Sequence, residues 1–324
     1  MKKLIFSTLL AVGLIGSVSA STWYVSTNGV ELNIGSSNSP FASIQHAINQ
    51  STNGDVIITG PGRFTGTGNN TLNFNGKVIT LKSQSGPLST IIDLNGNSAL
   101  YVGSGETQNT IVDGFTFING LSSSGRDWGG AGIVTLDNDS AIRIKNCIFY
   151  NNTTQVSYLT SGSAVIFANT GNTNLSLVEN CLFYSNNCSG GFWNHTSFAE
   201  IIHLGPLGDV INCTVANNTL HSPYANESSY ILVPIEARVV NSSIVWGNTL
   251  NGASIACDMG GTGVAYCSYS VAQGGILNHP GTNNIFIDPL FNNPSNGDFS
   301  LQFNSQARNA GDPDLTPING TVEK

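Results

Sequence analysis

The chain has 324 residues, of which 9% are charged and 40% are hydrophobic, and 37 of them are Gly. Charged residues make up roughly a quarter of a typical globular protein, so this composition favours short strands joined by many tight turns. The formal net charge of -8 leaves no basic surface for phosphate groups, which argues against nucleic acid or an anionic membrane as a partner.

The first 20 residues have the features of a secretory signal peptide. Lys2 and Lys3 precede an apolar run from Leu4 to Gly16, and a small-residue cleavage motif ends at Ala20. No later segment has the roughly 18 apolar residues that a membrane-spanning helix needs. We therefore expect a mature chain from Ser21 that is secreted or held at the cell surface, with no membrane span after the signal is removed.

The next segment, residues 21–55, predicts an N-terminal cap. A strand covers residues 23–26, and a helical period over residues 41–50 places Phe41, Ile44, Ala47 and Ile48 on one face. A solenoid must cover the open end of its core, and one amphipathic helix is suited to this role.

A repeat organises the rest of the chain. The nonapeptide that ends at Asn152 has imperfect copies before and after it, which close with Asn119, Asn186, Asn218 and Asn248, at spacings of 30 to 34 residues. Between repeats, residues 131–136, 140–144 and 146–150 read as three short strands with a turn at residues 137–139. Three short strands in about 30 residues predict one coil of a right-handed parallel β-helix, an all-β solenoid.

Strand alternation predicts which repeat positions face inward. It directs Cys147 and Phe149 into the core and Ile148 and Tyr150 outward. The two expected inward columns are Gly114/Cys147/Cys181/Cys213/Ser243 and Thr116/Phe149/Phe183/Val215/Val245. Two structural ladders are expected beside them, Asp113/Asn146/Asn180/Asn212/Ser242 and Asn119/Asn152/Asn186/Asn218/Asn248, because Asn tolerates left-handed turns and stacked amides hydrogen-bond between coils.

The six cysteines of an exported chain allow a disulfide interpretation. Three of them, Cys147, Cys181 and Cys213, share one repeat position, so the repeat favours an unpaired stack of buried thiols about 4.8 Å apart. Cys188 lies outside this stack. Cys257 and Cys267 remain candidates for a separate pair.

Four blocks of the sequence resemble secreted bacterial right-handed β-helix proteins of the pectin-lyase-like superfamily. The third block is also similar to the repeats of chlamydial surface autotransporters. The blocks are Trp23-Tyr24-Val25-Ser26 through Phe64, Gly105-Glu106-Thr107 leading into Val112-Asp113-Gly114-Phe115, the Asn-Cys-x-Phe/Val-x-x-Asn coils, and the segment from Val271 through Ala310-Gly311-Asp312-Pro313.

The resemblance covers nearly all of residues 21–324 and implies one β-helix domain whose closing segment is residues 270–324. Members of this family often continue into a further strand and a sorting or anchoring domain, whereas this sequence stops at Lys324. The superfamily includes polysaccharide lyases, glycosidases, tailspikes and adhesins, so the fold alone does not assign an activity.

The unequal loops after each closing Asn predict the ligand surface. They cover residues 120–130, 153–163, 187–199, 219–230 and 249–253, and stacked coils place them along one side. Aromatic rings there would stack on sugar faces, and polar groups would bind hydroxyl or uronate groups. The predicted substrate-binding residues are Trp128, Tyr158, Trp193, His195, Tyr224 and Glu227; the alternative is that Trp128 and Trp193 fold back as loop cores.

Catalytic residues are only weakly marked. A lyase needs a base beside a neutralised uronate, and Arg126 with Asp127 is the one acid–base pair in a candidate loop, although a lone surface ion pair is the simpler interpretation. Basic residues on the strands, such as Arg143 and Arg238, are not visibly matched with an Asp/Glu cluster on adjacent coils. A glycosidase needs two carboxylates, for which Asp127, Glu200 and Glu227 are candidates.

Metal binding is also weakly marked. Asp137-Asn138-Asp139 resembles a fragment of a Ca²⁺ loop but lacks further ligands, so a turn is the simpler interpretation. His203 lies in an apolar strand without a Cys or His partner, which favours a packed residue over a ligand. We predict no resident cofactor, with Ca²⁺ as the one open possibility.

The functional prediction is an exported β-helix protein that binds a polysaccharide or a cell-surface glycan along its loop-lined face. Two alternatives remain open from the sequence, a polysaccharide lyase or glycoside hydrolase and a cell-surface adhesin.

Overall fold

A computed structural model of the chain describes residues 19–123, 131–155, 163–168, 174–190, 199–221, 234–254, 266–274 and 281–314. Their regular secondary structure is almost entirely strand, and apart from two antiparallel pairs the strands pair in parallel with equivalent strands of neighbouring coils. The chain is therefore a parallel β-helix, as the repeat predicts. Within these ranges no helix has the length and apolar character needed to cross a membrane.

Each complete coil contributes to four faces, whereas the sequence predicted three strands per coil. The first face contains β1 (Thr22–Val25), β2 (Val56–Thr59), β5 (Thr80–Ser83), β8 (Ile111–Asp113), β12 (Arg143–Lys145), β16 (Ser176–Glu179) and β26 (Tyr266–Ser268). The second contains β3 (Gly62–Thr65), β6 (Thr90–Asp93), β9 (Thr116–Ile118), β13 (Ile148–Tyr150), β17 (Leu182–Tyr184), β20 (Thr214–Ala216), β23 (Ile244–Trp246) and β27 (Val271–Ala272).

The third face contains β10 (Leu121–Ser122), β14 (Thr153–Gln155), β18 (Asn187–Ser189), β21 (Thr219–His221), β24 (Thr249–Leu250) and the antiparallel β25 (Ala253–Ser254). The fourth contains β4 (Leu72–Asn73), β7 (Leu100–Val102), β11 (Ala131–Leu136) and β15 (Ser163–Ala168). Two long strands, β19 (Ile202–Ile211) and β22 (Ile235–Asn241), run from the fourth face into the first. These two faces therefore form one 13-stranded sheet.

The third face corrects the loop prediction. Segments that begin directly after the closing Asn residues were expected to be loops, but they start with short strands such as β14 and β18. Their inward residues are Thr154, Cys188 and Leu220, all fully buried and in register. Strands of two or three residues are too short to give a recognisable period of two, which is why the pattern missed them.

The register of one coil also differs from the prediction by one residue. Phe149 pairs with Phe117, and Ile148 pairs with Thr116. The inward columns therefore begin with Phe115 and Phe117, both fully buried, in place of Gly114 and Thr116. A slip of one residue exchanges the two faces of a strand, so the burial of both Phe rings fixes this register.

The rest of both inward columns is confirmed. Cys147 and Phe149 are buried, whereas Tyr150 is 38% exposed. The Phe149 and Phe183 rings stack at 4.8 Å between centroids with an interplanar angle of 3°. Phe117, Phe149 and Phe183 thus form a stack of three aromatic rings, and Val215 and Val245 continue the same column.

The unpaired cysteine column is confirmed. The buried thiols of Cys147, Cys181 and Cys213 are free, and two of them accept backbone hydrogen bonds from the preceding coil. The Cys147 N–H donates to Cys181 Sγ and the Cys181 N–H donates to Cys213 Sγ, each at 3.4 Å. The Cys213 N–H then donates to Ser243 Oγ at 3.1 Å. Cys257 lies outside the described residues, so its pairing with Cys267 stays a prediction.

The inner Asn ladder consists of Asn152, Asn186, Asn218 and Asn248, all buried. Each amide oxygen accepts from the backbone of the preceding coil, and the row ends at the Gly120 N–H, 2.9 Å from Asn152 Oδ1. Asn119 instead joins Asn151 on the exterior, where the two side chains hydrogen-bond at 2.8 Å. The ladder is therefore confirmed for four of its five predicted members.

A second amide row runs along the turn between the first and second faces; we call it the outer amide row. Asn212 donates to Asn180 at 3.1 Å, Asn180 to Asn146 at 2.6 Å, and Asn146 to the Asp113 carboxylate at 2.7 Å. The three Asn residues have φ between 50° and 56°, the left-handed region that Asn tolerates. Side-chain amides thus link successive coils as predicted, except that Ser242, the fifth predicted member, donates to Asn241 instead.

The two ends of the solenoid are covered differently. At the N-terminal end, the helix α1 (Ile44–Gln50) begins at Ser43, whose hydroxyl accepts from the His46 N–H, and it buries Ile44, Ala47 and Ile48. It contacts β1, β2 and β4, which confirms the predicted cap. At the other end, Ile285 pairs with Val271, and residues 286–314 then run back along the outside.

This returning segment contains an antiparallel pair, β28 (Phe291–Asn293) and β29 (Asp298–Leu301), joined by a 3₁₀ turn (Pro294–Asn296). Hydrogen bonds at the C-terminal end of the segment hold it against the coils. The Asp312 N–H donates to Ser242 Oγ at 2.8 Å, and Asn241 Nδ2 donates to the Asp312 carboxylate at 3.0 Å.

Ion pairs join basic residues on the strands to single carboxylates of neighbouring coils. Arg143 binds Glu179, with Nε 2.5 Å from Oε2, and Arg238 binds Asp209 through two hydrogen bonds. Lys145 lies 3.2 Å from Asp113. Each pair joins neighbouring coils, a relation that becomes visible only when the register is known.

Candidate functional site

The residues predicted to bind or cleave a ligand, Arg126, Asp127, Trp128, Tyr158, Trp193, His195, Tyr224 and Glu227, all lie outside the described residues. Their segments connect the third face to the fourth. Two other places among the described residues bring polar side chains together. One is a cleft beneath the C-terminal segment, and the other is a cluster of ionisable residues on the fourth face.

The cleft lies between the outside of the second face and the returning segment, with a volume of about 660 Å³. Its floor consists of outward side chains of successive coils, Ile148, Leu182, Thr214 and Ile244. The outer amide row forms one wall of the cleft. The C-terminal segment contributes Phe299, Leu301 and Arg308 to the lining of the cleft. Its size falls within the roughly 300–1,000 Å³ of small-ligand sites.

The lining of the cleft repeats from coil to coil. Three successive coils each offer one amide, from Asn146, Asn180 and Asn212, with Ile148, Leu182 or Thr214 beside it, and neighbouring coils lie about 4.8 Å apart. An Asn side chain has two N–H donors and two acceptor lone pairs, and the row itself uses one donor of each amide. Asp113 and Arg308 are the charged residues among the described lining residues.

The second place, which we call the Glu–His–Glu cluster, consists of Glu200, His203 and Glu236. His203 and Glu236 are paired residues of β19 and β22, and Glu200 precedes β19. His203 Nδ1 lies 2.7 Å from Glu200 Oε2 and 3.5 Å from Glu236 Oε2. The three ligand-type atoms all lie within 4.8 Å of one another.

The cluster is nearly removed from solvent. The Glu200 side chain is 2% exposed, and those of His203 and Glu236 are 12% exposed. On the preceding coil, the Phe167 ring stacks on the His203 ring at 5.0 Å and 14°, and it is itself buried. Phe167 therefore fixes the orientation of the imidazole and offers no open ring to a ligand.

Burial and mutual repulsion perturb these groups. Burial and the neighbouring Glu200 carboxylate raise the pKa of Glu236 to about 7, against the opposing effect of His203. Burial alone would lower the pKa of His203, but the Glu200 carboxylate and then Glu236 outweigh it, so this pKa is raised. The two carboxylates thus disfavour each other's ionised form, and both favour the protonated form of the neighbouring imidazole.

The sequence interpretation of His203 as a packed strand residue misses these partners. Glu200 is only three positions away, but it was considered there as a glycosidase candidate rather than as a partner of His203. Glu236 comes 33 positions later and meets His203 only through the coil register. The sequence does contain a usable signal, because ionisable residues interrupt the aliphatic starts of β19 and β22 at equivalent positions.

Comparisons with known proteins give similarity in fold only. No family model matches the chain, and no curated protein matches it. Among solved structures, it is similar to a rhamnogalacturonan lyase (15% identity, TM-score 0.40, covering 84% of this chain and 90% of that one). It is also similar to a pectate lyase (15%, TM-score 0.41, covering 93% and 94%). At these values the likeness carries no argument about activity.

Proposed function

We propose that this protein is an exported carbohydrate-binding protein and that the cleft beneath the C-terminal segment is a glycan site. The observation that carries the proposal is the repeating lining of the cleft, in which three successive coils each place an amide beside Ile148, Leu182 or Thr214. A glycan chain has hydroxyl groups along its edges and apolar patches on its ring faces. Lying along the axis, it would meet both kinds of partner on each of these three coils.

The charges favour a neutral or weakly acidic glycan. Arg308 is the cation among the described lining residues, and Asp113 is already paired with Lys145 at 3.2 Å. A guanidinium binds a carboxylate through paired N–H groups, so a uronate would find its partner at Arg308. Phe299 adds an aromatic ring to the same wall, a surface on which sugar faces stack.

Binding is favoured over hydrolysis at the carboxylate pair of the Glu–His–Glu cluster. Glu200 and Glu236 are near enough to act on one bond, but the Glu200 side chain is 2% exposed and a glycosidic oxygen does not reach it. Cleavage by residues of the loop-lined face, Arg126 and Asp127 first, is the enzymatic alternative. An adhesin that recognises a protein surface is the other alternative.

The test is retention of polyuronides, sulfated glycans and neutral glycans by the chain without residues 1–20. Thr214→Trp fills the floor of the cleft, and Thr219→Trp, in the same coil but outside the cleft lining, is the matched control. We expect Thr214→Trp to abolish retention and Thr219→Trp to leave it unchanged. Arg308→Ala should weaken retention of polyuronides and spare neutral glycans.

The same assay separates the alternatives. Loss of retention in Trp128→Ala and Trp193→Ala, but not in Thr214→Trp, moves the binding surface to the loop-lined face. Release of reducing or unsaturated ends that disappears with Arg126→Ala or Asp127→Ala identifies an enzyme. If the protein neither retains nor cuts any glycan of the panel, the carbohydrate proposal is wrong and the adhesin alternative gains support.

A further inference from the structure

The Glu–His–Glu cluster has the composition and geometry of a metal site, and it is independent of the glycan proposal. One nitrogen and two carboxylate oxygens converge within 4.8 Å, supplied by two adjacent strands and the residue that leads into them. The imidazole is held in one orientation by the Phe167 ring. Convergent donor atoms on a rigid sheet are what a metal site requires.

The charge balance calls for a cation. With both carboxylates ionised, the cluster carries a net charge of about -2 when the imidazole is neutral and about -1 when it is protonated. Among the described residues, no Lys or Arg forms an ion pair with Glu200 or Glu236. Buried charge of one sign is costly unless a proton or a metal ion compensates it.

The geometry points to a divalent transition-metal site, with Zn²⁺ bound by Glu200 Oε2, His203 Nδ1 and Glu236 Oε2. Zn²⁺ lies about 2.1 Å from N and O donors, so the ligands of a tetrahedral site are about 3.4 Å apart. The separation of 3.5 Å between His203 and Glu236 already meets this value. The 2.7 Å hydrogen bond to Glu200 opens by about 0.7 Å as the metal replaces the shared proton.

The donor set selects the kind of metal. Ca²⁺ prefers about six to eight oxygen ligands, and Mg²⁺ keeps several waters, so neither suits a site built around an imidazole. Three protein ligands leave one position of a zinc tetrahedron for water. The remaining exposure of His203 and Glu236, 12% for each side chain, provides access to that position.

A bound metal would join two coils. Glu200 and His203 belong to one coil and Glu236 to the next, so the ion bridges β19 and β22 at the end where each strand begins on the fourth face. A metal that binds only the folded chain stabilises it by mass action. Zn²⁺ should therefore raise the melting temperature of the protein, an effect that is measurable without any activity.

The experiment uses the chain without residues 1–20, freed of metal with a chelator. Co²⁺ is added first, and its visible absorption reports the coordination geometry; Zn²⁺ is then titrated in competition. We expect one ion per chain, tetrahedral Co²⁺ bands that Zn²⁺ removes, and a higher melting temperature with Zn²⁺ but not with Ca²⁺ or Mg²⁺. No Co²⁺ or Zn²⁺ binding at micromolar concentration would overturn the inference.

Two variants locate the site. His203→Ala and Glu236→Gln should each weaken Zn²⁺ binding by about 100-fold or more, because even outer-shell changes cost about 10–100-fold. His46→Ala is the matched control, since His46 forms a similar imidazole–carboxylate pair with Glu31 at 3.4 Å, and it should bind as the wild type does. Glu236→Gln preserves the shape of the side chain, so circular dichroism of this variant separates lost binding from lost folding. Wild-type affinity in both cluster variants would refute the assignment.

Discussion

Replacing Asn186 with Ala gives the sharpest test of how the coils are held together. The Asn186 side chain is buried and makes four hydrogen bonds. Its Oδ1 accepts from the Asn152 backbone N–H and from Asn152 Nδ2, each at 3.0 Å. Its Nδ2 donates to the Phe149 carbonyl at 2.9 Å and to Asn218 Oδ1 at 3.0 Å.

Truncation of Asn186 to Ala does not leave all four of these groups without a hydrogen-bond partner. Asn152 Nδ2 still reaches the Phe117 carbonyl, and Asn218 Oδ1 still accepts from the Asn186 backbone N–H. The Asn152 N–H loses the acceptor assigned to it, and the Phe149 carbonyl loses one donor. Each buried polar group left unsatisfied costs about 1–3 kcal/mol, so we expect the free energy of unfolding to fall by about 3–5 kcal/mol.

The assay is equilibrium unfolding in guanidinium chloride, followed by circular dichroism and by fluorescence. Coincidence of the two probes checks that the array unfolds as a unit, which repeat proteins do not always do. Asn187→Ala, one residue further and exposed, is the control, with an expected change within about 0.5 kcal/mol. A loss below about 1 kcal/mol for Asn186→Ala would refute the view that the inner Asn ladder stabilises the coils.

Three further predictions concern Cys181 as a hydrogen-bond acceptor, the Asp55 carboxylate and the reactivity of the buried thiols. Cys181→Ser should change the free energy of unfolding by less than about 1 kcal/mol, because a hydroxyl can accept the Cys147 N–H as Ser243 accepts that of Cys213. Cys181→Val removes this acceptor and should cost about 1–3 kcal/mol; equal denaturation midpoints for the two variants would contradict the role of the thiol as an acceptor. Asp55 accepts from the Thr52 and Ser21 backbones and from Trp23 Nε1, and although burial alone raises its pKa, these hydrogen bonds together lower it. A lowered pKa contributes stability that is fully present above the ordinary pKa of 3.8 and is lost as the pH falls through the pKa of the folded state. The wild type should therefore be more stable than Asp55→Asn at neutral pH, and the difference should shrink in acid. A stability difference that does not change with pH would contradict this. Burial raises the pKa of the Cys181 and Cys188 thiols, the latter to about 12, so both should resist alkylation until the chain unfolds. Mass spectrometry of peptides from the alkylated native protein measures this. Rapid labelling of either thiol in the native state would contradict the prediction.

The local sequence was sufficient for the type of fold. A period of two in short strands, recurring Asn at turns and one helical period near the N terminus predicted a parallel β-helix and its cap, and the inward positions of Cys147 and Phe149 follow from alternation alone. These features depend on neighbours close along the chain, where hydrophobic periodicity and turn chemistry act directly.

The tertiary structure decided what depends on the register between coils. It placed Phe117 in the core column in place of Thr116, added the third face, and paired Arg143 with Glu179. It also brought His203 to Glu236, and it laid the C-terminal segment over the outer amide row to form the cleft. Contacts between residues 30 or more positions apart change completely when a coil gains or loses one residue. Local periodicity does not fix the number of residues in a coil.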